Sequence, residues 1–77
     1  MKVITTRYHG PTNTKAARII ASDMDGNNFQ LSVSEVDSLN EAAQHRVAAK
    51  RLSDKMKWEG RLAGGYVKGG LVWVFVD

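Results

Sequence analysis

The residues best suited to acid–base chemistry in this chain are two histidines, one of which follows a carboxylate at helical spacing. Glu41 lies one helical turn before His45, so on a helix both side chains would lie on one face. Such a pair can be a catalytic base with its orienting carboxylate, but it is far more often a hydrogen bond that satisfies a half-buried imidazole. His9 belongs to a predicted loop and nothing places it beside His45, so we predict no metal site. We expect His45 to be structural and the protein not to be an enzyme.

The segment Asp23–Asn27 has oxygen-bearing side chains at alternate positions, as at the start of a calcium-binding loop. The rest of the loop does not fit, because calcium loops need a glycine at the sixth position and a bidentate glutamate at the twelfth. This chain has Asn28 and Ser34 at those positions. Asp25 and Gly26 are a preferred pair for a two-residue hairpin turn, so the segment is predicted to be a turn.

The polar loop Gly10–Lys15 ends in a cation and could cradle an anion. It lacks the second glycine and the Lys-Ser/Thr pair of a phosphate loop, and a strand is predicted to follow it instead of a helix. Asn13 and Thr14 are therefore expected to hydrogen-bond their own backbone and hold a turn. Because a core does not need them, four polar residues of this region form the predicted protein-binding surface: Asn13, Thr14, Lys15 and Arg18.

The stretch Lys68–Phe75 is similar to the RNA-recognition strand motif, which begins with a basic residue and a glycine. Two positions that need aromatic residues hold glycine and valine here, so only Phe75 fits. We expect Trp73 and Phe75 to be core residues. Trp58 and Tyr66 could stack on bases, but two aromatic residues without a defined register are weak evidence for this.

Charge is distributed in blocks along the chain, although the net charge is only +3. Residues 1–20 carry four cations and no acid, residues 21–45 carry five acids and no Lys or Arg, and residues 46–58 carry five cations against one acid. This pattern is typical of a solvated mixed surface, or of a basic patch that binds nucleic acid or an acidic partner. The candidate nucleic-acid-binding residues are Arg46, Lys50, Arg51, Lys55 and Lys57.

Composition limits the classes of protein that this sequence can encode. The 77 residues are 43% hydrophobic and 25% charged, which predicts one small globular domain over residues 1–77. The absence of cysteine excludes disulfide scaffolds, thiolate metal sites and cysteine nucleophiles. No apolar stretch has the length of a signal peptide or a membrane span, so we expect a soluble intracellular protein with no cofactor.

Hydrophobic periodicity places these residues on five strands and one helix. The predicted strands are Val3–Tyr8, Lys15–Met24, Asn28–Val33, Arg61–Val67 and Gly70–Val76, and the last two turn near Lys68-Gly69. Paired glycines leave the register of that last hairpin open and allow a bulge. The helix is predicted over Leu39–Lys57, with a capping box at Ser38–Glu41 and its end at Gly60.

The predicted fold is α+β, an antiparallel sheet of about five strands in the order β-β-β-α-β-β with one helix on one face. Both alternating sets of the last strand are apolar: Leu71, Trp73 and Phe75, and Val72, Val74 and Val76. One helix covers only one side of a sheet. Either the sheet twists and partly closes on itself, or its second face packs against another molecule. Of these we predict the second, a homodimer.

A resemblance to a known group of proteins covers most of the chain. The segment Thr6–Ile19 contains a T-N-T-basic-x-x-R-I signature, and a helix with the motif residues Asn40, His45, Ala48 and Ala49, then Trp58 and a Gly-rich hairpin follow it. In these features the chain resembles small uncharacterised proteins of tailed bacteriophages. It differs in Ala17, where glycine is frequent, and in Leu71, where tyrosine is frequent. The resemblance implies a viral protein in the host bacterial cytoplasm, and it assigns no functional residues.

Together these observations predict a non-catalytic phage accessory protein that binds a host or phage protein, self-associates and does not enter a membrane. The alternative is a nucleic-acid-binding module that uses the basic helix over residues 46–57. The two hypotheses differ in salt dependence, because an affinity built on phosphate contacts falls steeply as salt is added.

Overall fold

Five strands form one antiparallel sheet in the order β3-β2-β1-β5-β4. The computed structural model describes residues 3–76. Its elements are β1 (Val3–His9), β2 (Arg18–Ser22), β3 (Asn28–Ser32), a 3₁₀ turn (Val33–Glu35), α1 (Glu41–Met56), β4 (Arg61–Val67) and β5 (Gly70–Val76). The helix packs on one face and contacts all five strands. The predicted α+β fold, with its β-β-β-α-β-β order, is confirmed.

The first strand lies in the middle of the sheet, between β2 and β5. The strands β1, β2 and β3 pair in chain order, whereas β5 returns after the helix to the free side of β1. Ile4 therefore lies opposite Trp73, and Thr6 lies opposite Leu71. This leaves β3 and β4 as the two edges of an open sheet.

The β2–β3 connection differs from the predicted two-residue turn. It spans Asp23–Asn27, and within it only Gly26 has a positive φ, of 91°. The Asp23 carboxylate accepts hydrogen bonds from the backbone N–H groups of Asp25 and Asn27, both at 2.9 Å, and from the Asn27 side-chain amide at 2.8 Å. An aspartate that bonds the backbone ahead of it organises a turn of this kind without a second positive φ.

The helix begins two residues later than predicted and ends at Lys57, but its caps differ from those predicted. Asn40 is the N-cap, and its side-chain oxygen accepts a hydrogen bond from the Ala43 N–H at 2.9 Å, so the predicted capping box at Ser38 is wrong. Lys57 ends the helix in the left-handed conformation with a φ of 60°. Gly60, which was predicted to end the helix, turns the chain into β4, and a Cβ on this glycine would lie 3.2 Å from the Phe75 ring.

The strand boundaries are close to the predicted ones except in β2, and β1 includes His9, which was predicted to lie in the loop. That strand begins at Arg18 and not at Lys15, because residues 10–17 form a loop. Val33 leaves β3 for the 3₁₀ turn. The last hairpin has the predicted bounds, and its register runs from Arg61↔Val76 to Val67↔Gly70 without a bulge.

The core lies between the sheet and the helix. Its buried apolar residues are Ile4, Ile19, Ala21, Leu31, Val36, Ala48, Ala49, Leu52, Leu62, Leu71 and Trp73. Trp73 is only 2% exposed, which confirms it as a core residue. Phe75 and Trp58 are half-buried at the margin of the core, with ring centres 6.2 Å apart and ring planes nearly perpendicular.

Candidate protein-binding surfaces

The face of the sheet opposite the helix is apolar over β4, β5 and the start of β1 and mostly polar over β2 and β3, and no described element packs over the apolar part. Burial alternates along β1, β2 and β5, so every second side chain of these strands lies on this open face. Its apolar members are Val3, Ile20, Ala63, Val67, Val72, Val74 and Val76. Val67 and Val76 are 47% and 41% exposed. Because the sheet is open, it does not bury this face by closing on itself.

Charge on the open face has one sign. Arg7, Arg18 and Arg61 lie on it, and none of its strand residues within 3–76 is Asp or Glu. Arg7 and Arg18 lie towards the end of the sheet that carries the β1–β2 loop. The β2–β3 loop, with Asp23 and Asp25, lies at the opposite end. Arg61 lies at the same end as this loop but on the other edge of the sheet. The open face therefore has two arginines at one end, and one arginine and an acidic loop at the other.

The predicted binding residues Asn13, Thr14 and Lys15 lie in the exposed loop between β1 and β2. The turn in this loop is held by Thr12 and not, as predicted, by Asn13 and Thr14. The Thr12 hydroxyl accepts hydrogen bonds from the backbone N–H groups of Thr14 at 3.4 Å and Lys15 at 3.1 Å. The Thr12 N–H donates to the Lys15 carbonyl at 2.8 Å. The side chains of Asn13, Thr14 and Lys15 are thus not needed for the loop to keep its shape.

Arg18 differs from the other residues of the predicted binding surface because it starts β2 and is half-buried. Its Nε and Nη1 atoms are buried and have no hydrogen-bond partner among the described residues. A buried donor without an acceptor costs about 1–3 kcal/mol, and an acceptor from another molecule can remove this cost only if the side chain moves to expose these atoms. Arg18 therefore differs from the exposed loop residues in that contact with a partner requires its side chain to rearrange.

The cations of the helix do not form one continuous patch. The Arg46 Nη1 donates to the Leu62 carbonyl of β4 at 2.9 Å, and its guanidinium lies 5.0 Å from the centre of the Trp73 ring. Lys55 extends to the opposite edge of the sheet, where its Nζ donates to the Asn28 carbonyl of β3 at 3.0 Å. The predicted nucleic-acid-binding residues therefore divide between two sides of the helix.

The remaining cations follow the same division. Lys50 lies on the Arg46 side and forms an exposed ion pair with Asp54 at 3.0 Å, one helical turn away. Arg51 lies on the Lys55 side, by its helical spacing, and Lys57 lies at the end of the helix. A duplex or single strand that tracks one side of the helix would meet only part of this charge.

A buried polar cluster connects the helix to β1 and β5. The Thr6 Oγ1 accepts a hydrogen bond from the Trp73 indole N–H at 2.9 Å and lies 2.8 Å from the His45 Nδ1. Because the indole N–H can only donate, the Thr6 hydroxyl keeps its own proton and can donate it in a hydrogen bond to the Nδ1 of a neutral imidazole. His45 is 1% exposed, and its partner is Thr6 and not, as predicted, Glu41.

Protonation of this imidazole is disfavoured in the folded state. Burial lowers the pKa of His45 below its ordinary value, while the negative charge of Glu41 and the backbone of Thr6 act in the opposite direction. The ring is enclosed between the helix and the sheet, so a substrate would reach it only after the core opened. Its geometry suits a structural hydrogen bond.

A groove between the helix and the start of β4 was not anticipated from the sequence. It has a volume of about 580 Å³ and is lined by Arg46, Lys50, Gly60, Arg61, Leu62 and Val76. The double glycine in β4 is the signal that could have drawn attention to this edge. A Cβ on Gly64 would lie 2.4 Å from the Trp73 ring, whereas a Cβ on Gly65 would meet nothing within 4 Å.

Within residues 3–76, no group of three or more His, Asp or Glu side chains is placed to hold a metal ion, and no helix is long and apolar enough to cross a membrane. No family model, curated protein or solved structure matches this chain. Four surfaces of the molecule are candidates for a binding function: the open face of the sheet, the loop before Arg18, the two sides of the helix and the edge of β4.

Proposed function

We propose that this protein is a non-catalytic binding protein that forms a homodimer and recognises a host or phage protein. The observation that carries the proposal is the open face of the sheet, where valines of three strands have no second layer over them. An exposed apolar patch of this kind is typical of an interaction surface. The resemblance to small proteins of tailed bacteriophages supports a viral protein that acts in the bacterial cytoplasm.

The size of the open face is compatible with a second copy as its occupant. Strand spacing of about 4.8 Å and a rise of about 3.3 Å per residue give five such strands a footprint of about 500 Å². Two copies packed face to face would therefore remove at least about 1,000 Å² from water, which is the lower end of specific interfaces. The resulting helix–sheet–sheet–helix arrangement buries the valines as a sandwich core.

A second copy also complements the β1–β2 side of the open face in charge. A two-fold axis that lies between the two sheets, perpendicular to their strands, sets the cationic end of one copy over the acidic β2–β3 loop of the other. Arg7 then faces the loop that contains Asp23 and Asp25. The loop with Asn13, Thr14 and Lys15 extends beyond the sheet and stays available to another protein.

The dimer is tested by size-exclusion chromatography with light scattering at low and high salt. We expect the wild-type protein to be a dimer at both, because apolar burial is not screened by ions. Val74→Glu places a charge at the centre of the open face and should give a folded monomer. Ser38→Glu adds the same charge in an exposed loop and should remain a dimer.

A wild-type monomer would refute self-association, and so would a Val74→Glu variant that remains a dimer. A dimer that dissociates only at high salt would contradict an interface held by the valines of the open face.

A further inference from the structure

The outer edge of β4 has free backbone groups. Because Lys68 and Gly69 form a two-residue turn, Val67 and Gly70 are a hydrogen-bonded pair. Hydrogen bonding to β5 then recurs at every second residue of β4, at Gly65, Ala63 and Arg61. The alternate residues direct their N–H and C=O groups away from the sheet: Leu62, Gly64 and Tyr66. No described strand lies on that side of β4.

The side chain of Arg46 caps one end of this free edge. Its Nη1 donates a hydrogen bond to the Leu62 carbonyl at 2.9 Å, which independently confirms that this carbonyl faces outward. The backbone groups of Gly64 and Tyr66 remain for an added strand. Two glycines give this stretch little side-chain cover, and Tyr66 is 68% exposed beside it.

The β4 edge lacks the features that usually block an edge strand. It contains no proline and no bulge, and its register with β5 is continuous over its 7 residues. The other edge, β3, has 5 residues, and its outward carbonyl at Asn28 already accepts a hydrogen bond from the Lys55 Nζ. Of the two edges, β4 is the better template for a further strand.

The groove beside β4 supplies a charge preference. Three of its six lining residues are cations and none is an acid. Arg46 is held in place by the Leu62 carbonyl and the Trp73 ring, so its remaining donors are preorganised. Lys50 is paired only with the exposed Asp54, and such surface pairs are weak enough for another carboxylate to replace them.

We infer that the edge of β4 is a binding site for an extended, acidic segment of a protein partner. The segment adds to the sheet beside Gly64 and Tyr66, and a carboxylate beyond the paired residues enters the groove next to Arg46 and Lys50. Leu62 lies about 7 Å along the strand from Gly64, so a carboxylate one or two residues past the paired part reaches the groove. Backbone hydrogen bonds give this mode its affinity, and the groove gives it specificity.

The inference rests on the proposed function only in taking a protein as the partner, and it does not require the homodimer. The Val74→Glu variant should therefore bind the segment with wild-type affinity, whatever its own oligomeric state.

Two matched pairs of variants test the site. Tyr66→Pro removes one outward N–H and keeps the ladder to β5, while Tyr66→Ala removes the side chain and keeps the N–H. Lys50→Glu reverses a charge in the groove, while Arg51→Glu makes the same change on the other side of the helix. Circular dichroism and thermal melting establish which variants fold.

The probe is a random dodecapeptide library displayed on filamentous phage and selected on the immobilised wild-type protein. The enriched peptide is then synthesised with a fluorescein label, and its Kd is measured by anisotropy for each variant. We expect β-branched residues next to Asp or Glu in the enriched sequences. The affinity should fall about tenfold or more in Tyr66→Pro and in Lys50→Glu, and stay within about threefold in the two controls.

Three outcomes would overturn the inference: no enriched peptide, a peptide that binds folded Tyr66→Pro as well as wild type, or a wild-type dimer that Tyr66→Pro converts to a monomer. The last would mean that a second copy occupies the edge. If Tyr66→Pro does not fold, the comparison of Lys50→Glu with Arg51→Glu decides, and equal affinities there refute the site.

Discussion

On the face of the sheet that the helix covers, side chains are matched to particular neighbours. The Thr6 hydroxyl meets both the Trp73 indole and the His45 imidazole, and Gly64 leaves space for the Trp73 ring. On the open face the Thr5 hydroxyl has one hydrogen-bonding residue among those described, Ser22 of the next strand, with the two hydroxyls 3.3 Å apart. Neighbouring residues of one strand thus belong to surfaces of different kinds. One surface is completed within the chain, and over the apolar part of the other no described element packs.

We expect the largest difference in stability between variants of the two faces at the adjacent threonines of β1. Thr6→Val conserves volume but leaves two buried polar atoms without a partner, the Trp73 Nε1 and the His45 Nδ1, which should cost about 2–4 kcal/mol of unfolding free energy. Thr5→Val changes a hydroxyl on the open face and should stay within about 0.5 kcal/mol of wild type. Urea unfolding measures the free energy of unfolding of both variants. Equal losses would mean that the two faces tolerate the removal of a hydroxyl equally well.

The adjacent glycines of β4 make a second comparison of the same kind. Gly64→Ala places a Cβ 2.4 Å from the Trp73 ring, so the ring or the strand must move, at a cost of about 2 kcal/mol. Gly65→Ala adds a methyl group in open space on the other face and should be neutral or slightly stabilising. A Gly64→Ala variant as stable as wild type would show that the covered face repacks freely.

The covered face should also respond to pH through His45. Burial lowers the pKa of His45 from its ordinary value of 6.5, so below about that pH the unfolded chain binds more protons than the folded one. Stability is therefore complete above about pH 7 and is lost as the pH falls towards the lowered folded-state pKa. Urea midpoints measured between about pH 8 and pH 5 should show this decline.

Two variants identify the group responsible for this pH dependence. His45→Gln removes the buried imidazole and should flatten the profile, even though its overall stability is lower. His9→Gln changes an exposed histidine and should keep the wild-type profile. An unchanged slope in His45→Gln would assign the pH dependence to other groups.

Only a small effect on stability is expected at Arg18, where the open face meets the loop. Arg18→Glu should leave the melting temperature within about 3 °C of wild type, because this guanidinium forms no hydrogen bond that the fold would lose through Nε or Nη1. It should nevertheless weaken capture of the partner from a host lysate, measured by quantitative mass spectrometry against wild-type bait. Equal loss of binding and of thermal stability would remove Arg18 from the binding surface.

The elements of this fold were predictable where local pattern and tertiary packing agree. Alternation in Gly70–Val76 predicted both the strand and its two apolar faces, and Lys68-Gly69 predicted the turn. The N-cap was not predictable, because Ser38 and Asn40 are both good caps. Which of them starts the helix depends on how the 3₁₀ turn positions the backbone that follows it. Asp23 displaced the predicted two-residue turn through side-chain bonds that a dipeptide pattern does not contain.

The candidate surfaces were likewise predictable only in part. Exposure of Asn13 to Lys15 followed from their polarity, but the buried donors of Arg18 depend on β2 starting at that residue. The destinations of Arg46 and Lys55 on opposite edges of the sheet depend on strand order, which periodicity does not determine. The β4 edge likewise became visible only when β4 proved to be the last strand of the sheet.

The central position of β1 has a consequence for how this chain folds. The strands β1 to β3, and separately β4 with β5, form from neighbouring residues and can assemble early. Joining the two pieces requires contacts such as that between Thr6 and Trp73, which are 67 positions apart. Closing so long a loop is slow, so we expect docking of β5 against β1 to limit the folding rate. The buried Thr6 cluster would then form at that late step.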